Sequence, residues 1–262
     1  MLKIKSKIIL IGVILFTVSC QNKGIKNNQT IMDDSKKQVS NMNNDITLES
    51  MLHEKRDAFN NTAPEAKKKV YAEGLKSVEN SGILDKALNV GDKAPDFSLN
   101  NSLHKPVGLY AELKNGSVIL TWYRGGWCPY CNITLHYLQE KLPEFQKAGA
   151  TLIALTPELP DQSLTTSEKH KLEFQVLSDI ANKIGKQYGV VFKLTPEVAD
   201  MYQKAFDLHK YNGDESNELP LAATYVIDQN GIIQYAFLDA DYRNRAEPTE
   251  ILKALAKIKA KK

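Results

Sequence analysis

The chain has 262 residues, of which 42% are hydrophobic and 25% charged, and its formal net charge is +3. This composition excludes a disordered, collagen-like or multi-span membrane protein, and the length predicts one main domain with extensions. Three cysteines are too few for a scaffold built on several disulfides.

The N-terminus has the layout of a secretory signal. Three lysines precede an apolar run over residues 8–16, which is followed by small or β-branched residues as far as Cys20. The run is shorter than the about 20 apolar residues that a membrane-spanning helix needs. Ser19 and Cys20 resemble the lipobox of bacterial lipoproteins, whose cysteine is acylated after cleavage, so we predict a signal peptide over residues 1–19 and a lipid anchor on Cys20. The alternative is a plain signal peptide, or an uncleaved anchor, with an incidental cysteine.

The predicted processing changes the charge and the location of the protein. Residues 1–19 hold three of the 34 basic side chains and no acidic one, so the remaining 31 basic side chains match the 31 acidic ones. The mature chain therefore offers no basic surface for nucleic acid. We expect a membrane-anchored lipoprotein outside the cytoplasm, either periplasmic or at the cell surface.

Two segments precede the main domain. Residues 20–46 are mostly polar and have too few apolar side chains to bury a face, which predicts a flexible tether after the lipidated cysteine. Apolar residues then recur at helical spacing and predict a helical lead-in over residues 47–88, ending near Gly82. The main domain is predicted over residues 89–262.

The main domain alternates strand and helix patterns before closing with a hairpin and a helix. Buried strands are predicted at residues 117–123, 151–156 and 176–179, helices at about 130–149, 180–188, 197–206 and 249–259, and hairpin strands at 223–228 and 232–238 around Asn230-Gly231. The order predicts an α/β fold with a mostly parallel central sheet, helices on its faces and an antiparallel edge. Several small α/β folds share this order.

The motif TWYRGGWCPYCN, residues 121–132, contains two cysteines at a strand-to-helix turn. We expect Cys128 to be the N-cap of the helix, Pro129 its first residue and Cys131 its third. The helix N-terminus would then lower the pKa of Cys128 and populate its thiolate. Cys131, one turn on, would close a disulfide with it, so the pair is a candidate redox couple that Trp127 would shield.

Two other roles for the pair are less consistent with the sequence. A closed zinc site needs four ligands, and there is no second C-x-x-C; among the five scattered histidines only His136 is near enough to be a third ligand. A purely structural disulfide that closes so short a loop would contribute little stability. We therefore predict redox chemistry without a metal or another cofactor.

The motif and several separated blocks, occurring in the same order, together resemble the peroxiredoxin-like branch of the alkyl hydroperoxide reductase and thiol-specific antioxidant (AhpC/TSA) superfamily. The blocks are GDKAPDFSL, WYRGGWCPYC, ALTPELPDQS, LPLAATYVID and DADYRNRAEP. The resemblance implies a thioredoxin-like fold and the reduction of hydrogen peroxide or organic hydroperoxides, at the expense of a thiol donor such as thioredoxin.

The resemblance and the helix argument disagree about the attacking sulfur. The usual family signature, P-x-x-x-T-x-x-C, places Cys131 at the peroxidatic cysteine, Cys128 at the threonine and Arg124 at the proline. Helix geometry favours Cys128, as in thioredoxins and in glutaredoxins, whose C-P-Y-C motif is identical. Both assignments remain open at this point.

The cations and prolines of the expected site follow from the same comparison. The family arginine that polarises the peroxide would fall on Ala222, and Arg124 is the candidate to replace it. Arg243 and Arg245 are further candidates for this cation, although we expect a solvated loop for both. Pro220 resembles the proline that in thioredoxin-like proteins precedes the edge strand in cis and contacts substrate, although an arbitrary X–Pro bond is usually trans. With Trp127 and Pro129 it completes the predicted substrate contacts.

Three functions follow from these observations. The first is a membrane-tethered thiol peroxidase that takes its electrons from a thioredoxin-like dithiol. The second is an extracytoplasmic disulfide reductase or isomerase of thioredoxin type, favoured by the C-P-Y-C motif and the missing arginine. The third is a redox-silent module that binds a metal or a partner through the cysteine pair.

Overall fold

The computed structural model describes residues 47–101 and 105–261. The predicted signal peptide, the predicted lipid anchor at Cys20 and the predicted tether lie outside these residues. Within the described parts of the chain, no helix is both long enough and apolar enough to cross a membrane.

Helices and strands alternate through most of the described chain. The helices are α1 Leu48–Thr62, α2 Glu65–Glu79, α3 Ile83–Lys86, α4 Leu109–Leu113, α5 Pro129–Lys147, α6 Pro160–His170, α7 Lys183–Gln187, α8 Pro196–Phe206, α9 Leu208–Asn212 and α10 Pro248–Ala260, with a 3₁₀ turn at Ile180–Asn182. The strands are β1 Ser98–Asn100, β2 Pro106–Gly108, β3 Ser117–Trp122, β4 Ala150–Thr156, β5 Gln175–Ser178, β6 Val191–Lys193, β7 Glu218–Pro220, β8 Thr224–Ile227 and β9 Ile233–Phe237.

The central sheet has five strands in the order β5-β4-β3-β8-β9. Strands β3, β4 and β5 are parallel, whereas β8 pairs antiparallel with both β3 and β9. Every residue of β3 is buried, as its continuous apolar run predicts for a central strand covered on both faces. The antiparallel edge is the hairpin of β8 and β9, as the sequence predicts.

Helices α1, α2 and α3 occupy the region of the predicted lead-in. A capping box between Thr47 and Ser50 begins α1, and its buried side chains Leu48 and Leu52 join the apolar cluster under α5. Gly82 has a φ of 68° and precedes α3, so it separates two helices instead of ending the helical region. The N-terminal helices are therefore packed onto the main domain.

Helix α5 positions the site and is held by one apolar face. Leu135, Leu138, Leu142 and Phe145 are at most 2% exposed and lie at the i, i+3, i+4 spacing predicted for a buried stripe. Burial of each side chain stabilises the fold by about 1.5–3 kcal/mol. The start of α5, where the cysteines lie, is thus attached to a rigid helix.

Two short sheets lie beside the central one, and one of them contains Pro220. Strand β6 pairs antiparallel with β7, with Val191 opposite Pro220. No cis peptide bond occurs in the described residues, so the bond before Pro220 is trans. Pro220 is the last residue of β7, and its side chain is buried.

Candidate active site

The two cysteines lie where β3 passes into α5. The helix begins at Pro129 with Cys128 as its N-cap, which confirms the predicted helix start. The Cys128 N–H donates to the carbonyl of Gly125 at 3.0 Å. Gly125 has a φ of 151°, and a Cβ there would lie 2.2 Å from Trp127 Nε1, so this turn requires glycine. The turn fixes both the cysteines and the indole.

Both sulfurs are buried free thiols, 1% exposed at Cys128 and 0% at Cys131, but their surroundings differ. The Cys131 Sγ accepts hydrogen bonds from the Arg124 N–H at 3.5 Å and from Arg245 Nη2 at 3.4 Å. Burial opposes its ionisation, but the bond from Cys128 and the positive charges of Arg245 and Arg124 together hold the pKa of Cys131 well below its usual range.

The surroundings of Cys128 shift its pKa in the opposite direction. It makes no side-chain capping bond to the helix, and its nearest cation contact is Arg124 Nη1 at 4.0 Å. Burial, together with its hydrogen bond to Cys131 and the charge there, raises the pKa of Cys128 well above its usual range. The hydrogen bonds and positive charges around the pair therefore favour the thiolate at Cys131 over Cys128. This differs from the expectation of a thiolate at Cys128, because the guanidinium groups outweigh the helix N-terminus.

Arg124 is 1% exposed and enclosed by aromatic rings. The centre of its guanidinium lies 3.9 Å from the ring of Tyr242, 4.9 Å from Trp127 and 5.3 Å from Tyr202, whose hydroxyl accepts a bond from Nη2. Cation–π contacts compensate part of the desolvation of a buried guanidinium. The cage thus keeps a positive charge next to the two sulfurs.

Arg245 is a second buried cation at the site, and the expectation of a solvated loop was wrong for it. It is 8% exposed, its Nη1 donates to the Asn244 carbonyl at 2.7 Å and its Nη2 faces Cys131. Arg243, two residues earlier, instead forms an ion pair with Asp241 at 2.7 Å. Only the RNR run in the block DADYRNRAEP hinted at this cation, and nothing in it distinguished one arginine from the other. Ala222, where the resemblance placed the arginine, is buried and carries no charge.

An aromatic cavity of about 190 Å³ opens at Cys128. Cys128, Pro129 and Arg124 line it together with the rings of Phe59, Tyr71, Trp127, Tyr130, Tyr202, Phe206 and Tyr242, and with Lys67. Trp127 stacks on Phe206 with ring centres 4.4 Å apart, so it forms a fixed wall. Trp127 and Pro129 are therefore in the cavity with the cysteine, whereas Pro220 is absent from its lining.

The cavity also contains side chains that sequence reasoning missed. Phe59 lies on α1 and Tyr71 on α2, and their rings are 5.6 Å apart. Tyr71 also contacts Tyr202 of α8, with ring centres 6.0 Å apart. Phe59 belongs to a periodic apolar pattern in the sequence, which indicates only core packing, and Tyr71 lies outside that pattern. The helical lead-in therefore supplies one wall of the cavity.

The described residues contain no cluster of three or more His, Cys, Asp or Glu side chains that could hold a metal ion. His136, the nearest sequence candidate for a third ligand, is largely exposed, with its ring 3.4 Å from Glu140. The geometry of the pair supports thiol chemistry.

The comparisons with known proteins agree with this geometry. The AhpC/TSA family model matches residues 90–236, more than half of the chain. The chain is 29% identical over 178 residues to chloroplastic peroxiredoxin Q of Arabidopsis thaliana, covering 68% of this chain and 70% of that protein. It is 26% identical over 152 residues to peroxiredoxin Bcp of Escherichia coli strain K12, covering 58% of this chain and 86% of that protein.

Solved structures show the same fold. Peroxidoxin BcpB from Mycobacterium tuberculosis has a TM-score of 0.51 at 20% identity and covers 67% of this chain and 99% of its own. The reduced 2-Cys peroxiredoxin of Plasmodium vivax has a TM-score of 0.52 at 21% identity and covers 66% of this chain and 83% of its own. The predicted thioredoxin-like α/β fold is thereby confirmed.

Proposed function

The chain belongs to the AhpC/TSA family and is a peroxiredoxin-type oxidoreductase, and on this premise we propose that Cys131 and Cys128 are its redox pair, Cys131 attacking the peroxide and Cys128 resolving. The observation that carries the assignment is the position of Cys131 Sγ between the Arg124 N–H and the Arg245 guanidinium. A thiolate is the nucleophilic form of cysteine, so the sulfur that holds the charge is the one that attacks.

The first step breaks the O–O bond. The Cys131 thiolate attacks one peroxide oxygen, an S–O bond forms, and the other oxygen leaves as alkoxide or hydroxide. Arg124 and Arg245 stabilise the charge that moves onto the leaving oxygen. Cys128, protonated because its pKa is raised, gives that oxygen its proton, so the products are a sulfenic acid at Cys131 and an alcohol or water.

The second step closes the disulfide. Cys128, now a thiolate, attacks the sulfenic sulfur of Cys131, and hydroxide leaves and takes up one further proton to become water. Both cysteines lie at the start of α5, three residues apart, so the disulfide joins neighbouring side chains. We propose that a thioredoxin-like dithiol then reduces the pair and restores the starting state.

The aromatic cavity is the proposed route of the peroxide. Cys128 lines it and Cys131 lies behind, so a peroxide reaches Cys131 beside Cys128. The apolar walls accommodate the organic part of a hydroperoxide, while hydrogen peroxide needs no such surface. Both substrate classes are therefore proposed.

The position of Cys128 also favours a second function. Because Cys128 lines the cavity and heads a C-P-Y-C motif, a disulfide reductase or isomerase of thioredoxin type would use it as the attacking sulfur. Such an enzyme would act on protein disulfides and would react with peroxide no faster than a free thiol.

The proposed location rests on the N-terminal sequence. The basic start, the apolar run and Cys20 support a lipoprotein anchored to a membrane outside the cytoplasm. A flexible tether of residues 20–46 would let the catalytic domain reach soluble peroxide and reductant.

Stopped-flow oxidation of the reduced protein by hydrogen peroxide, followed by tryptophan fluorescence, tests the function. We expect a second-order rate orders of magnitude above that of a free thiol. Cys131→Ser should abolish this rate, whereas Cys128→Ser should keep it and accumulate the sulfenic acid, trapped with dimedone. Loss of the rate in Cys128→Ser alone would reverse the roles of the two sulfurs. A rate like that of free thiol in the parent protein would favour the disulfide oxidoreductase.

A further inference from the structure

Glu158 is a fully buried carboxyl group behind the active-site turn. It lies between β4 and α6 and is 0% exposed. Within the described residues, none of the ion pairs involves Glu158. An unpaired buried carboxylate is costly, so the position calls for an explanation beyond packing.

The carboxyl group binds the backbone of the turn that holds the cysteine pair. Its Oε1 accepts the Gly126 N–H at 2.8 Å, and the Gly126 carbonyl accepts Asn132 Nδ2 at 2.9 Å. A Cβ at Gly126 would lie 2.2 Å from Thr166 Oγ1, so α6 packs directly against the same peptide. Glu158 therefore fixes the peptide two residues before Cys128.

Four groups face this carboxyl from the surrounding elements. They are Tyr123 after β3, Cys131 on α5, Thr156 at the end of β4 and Thr166 on α6. Burial raises the pKa of Glu158 to about 7; the Gly126 N–H opposes this rise, and the charge on Cys131 adds to it. The carboxyl and the thiolate thus repel each other through the protein interior, where such effects are weakly screened.

We propose that Glu158 is a positioning residue for the redox pair, and that it keeps its proton while Cys131 is a thiolate and releases it when the disulfide forms. The inference rests on the proposed function only for the identity of the pair. It also balances the cycle, because peroxide reduction consumes one proton beyond the one that Cys128 supplies. Oxidation removes the negative charge of Cys131, and the carboxyl then ionises in its place.

The proposal predicts the number of protons that accompany the two electrons. Just below pH 7, oxidation of the pair should release one proton from Cys128 and one from Glu158, because in this proposal the loss of the Cys131 charge lets the carboxyl ionise. Without a titrating group at position 158, only the Cys128 proton should be released. The slope of the midpoint potential against pH reports this count and does not depend on peroxide.

The test is a redox titration against a dithiol buffer from about pH 6 to 7 for the parent protein, Glu158→Gln and Glu168→Gln. The glutamine keeps an oxygen acceptor for the Gly126 N–H but cannot ionise. Glu168 is exposed on the next helix, α6, and serves as the matched control. For the parent and Glu168→Gln we expect a slope of midpoint potential against pH that corresponds to two protons per two electrons. For Glu158→Gln we expect a slope that corresponds to one proton.

Equal slopes for the parent and Glu158→Gln would overturn the proposal. If Glu158→Gln does not fold, Glu158→Asp keeps a titrating group and should retain the two-proton slope, and a one-proton slope there would count against the proposal. If the parent protein reacts with peroxide no faster than a free thiol but the slopes are as expected, the proposed function is wrong. The coupling between Glu158 and the cysteine pair would then still stand. A pair that cannot form a disulfide would overturn both.

Discussion

Arg245 Nη2 lies 3.4 Å from Cys131 Sγ, although 114 residues separate them along the chain. This contact brings the loop after β9 to the first turn of α5. Together with the Arg124 N–H, it lowers the pKa of Cys131.

Removing the Arg245 charge should raise the pKa of Cys131. A hydrogen bond to a charged group contributes about 1.5–3 kcal/mol, so Arg245→Met should slow the reaction with peroxide at pH 7 by about 10- to 100-fold. Thiolate absorbance near 240 nm against pH, in a Cys128→Ser background, measures the pKa. Arg243→Met is the control: it removes a nearby arginine that is paired with Asp241, and the pKa of Cys131 should not change. Equal shifts in both variants would argue against a specific contact.

Glu158 should make stability depend on pH. Its pKa is about 7 in the folded chain against an ordinary 4.5, so its contribution is fully present below pH 4.5 and is lost as pH rises through 7. The linked change amounts to roughly 3 kcal/mol. Urea unfolding across this range should show Glu158→Gln losing less stability than the parent by about that amount. Parallel stability curves would contradict the raised pKa.

The wall from the N-terminal helices should select substrates. Tyr71→Ala removes a ring from the cavity, so KM for a hydroperoxide with an aromatic group, such as cumene hydroperoxide, should rise about 10- to 100-fold, as expected for one apolar side chain. The rate with hydrogen peroxide should hardly change. Tyr137→Ala, outside the cavity lining, is the control. Equal losses with both peroxides would indicate a general structural defect.

The contact between Gly126 and Thr166 can be tested with a rescue. A Cβ at Gly126 would lie 2.2 Å from Thr166 Oγ1 and 3.4 Å from its Cβ. Gly126→Ala should therefore cost about 1–3 kcal/mol in overpacking and slow peroxide reduction. Thr166→Ala removes the clashing hydroxyl and should restore most of both losses in the double variant. Additive losses, measured by thermal unfolding and stopped flow, would show that another contact is responsible.

The anchor is predicted from sequence and can be tested separately from the chemistry. Cys20→Ser should move the protein from the membrane fraction to the soluble fraction and abolish labelling by a clickable fatty acid. Cys131→Ser should keep both the label and the membrane fraction. Labelling that persists in Cys20→Ser would point to attachment at another residue.

Several elements of the fold and the candidate cysteine pair could be predicted from the sequence alone, because they depend on interactions between residues close together in the chain. The candidate redox pair, the start of α5 at Pro129 and the buried strands β3 and β4 follow from patterns within a few residues, because capping, proline geometry and hydrophobic periodicity act over short distances. The ordered blocks around them indicated the family as well.

Only the tertiary structure decided the charge at the site. Arg245 reaches Cys131 and Glu158 reaches Gly126 from distant loops, and Phe59 and Tyr71 reach the cavity from helices outside the matched family region. From the sequence, helix geometry favoured Cys128 and the family signature favoured Cys131, so the attacking sulfur stayed open. Electrostatic preference in a buried site depends on distances between residues far apart in the chain, and those distances exist only after the sheet and helices have packed.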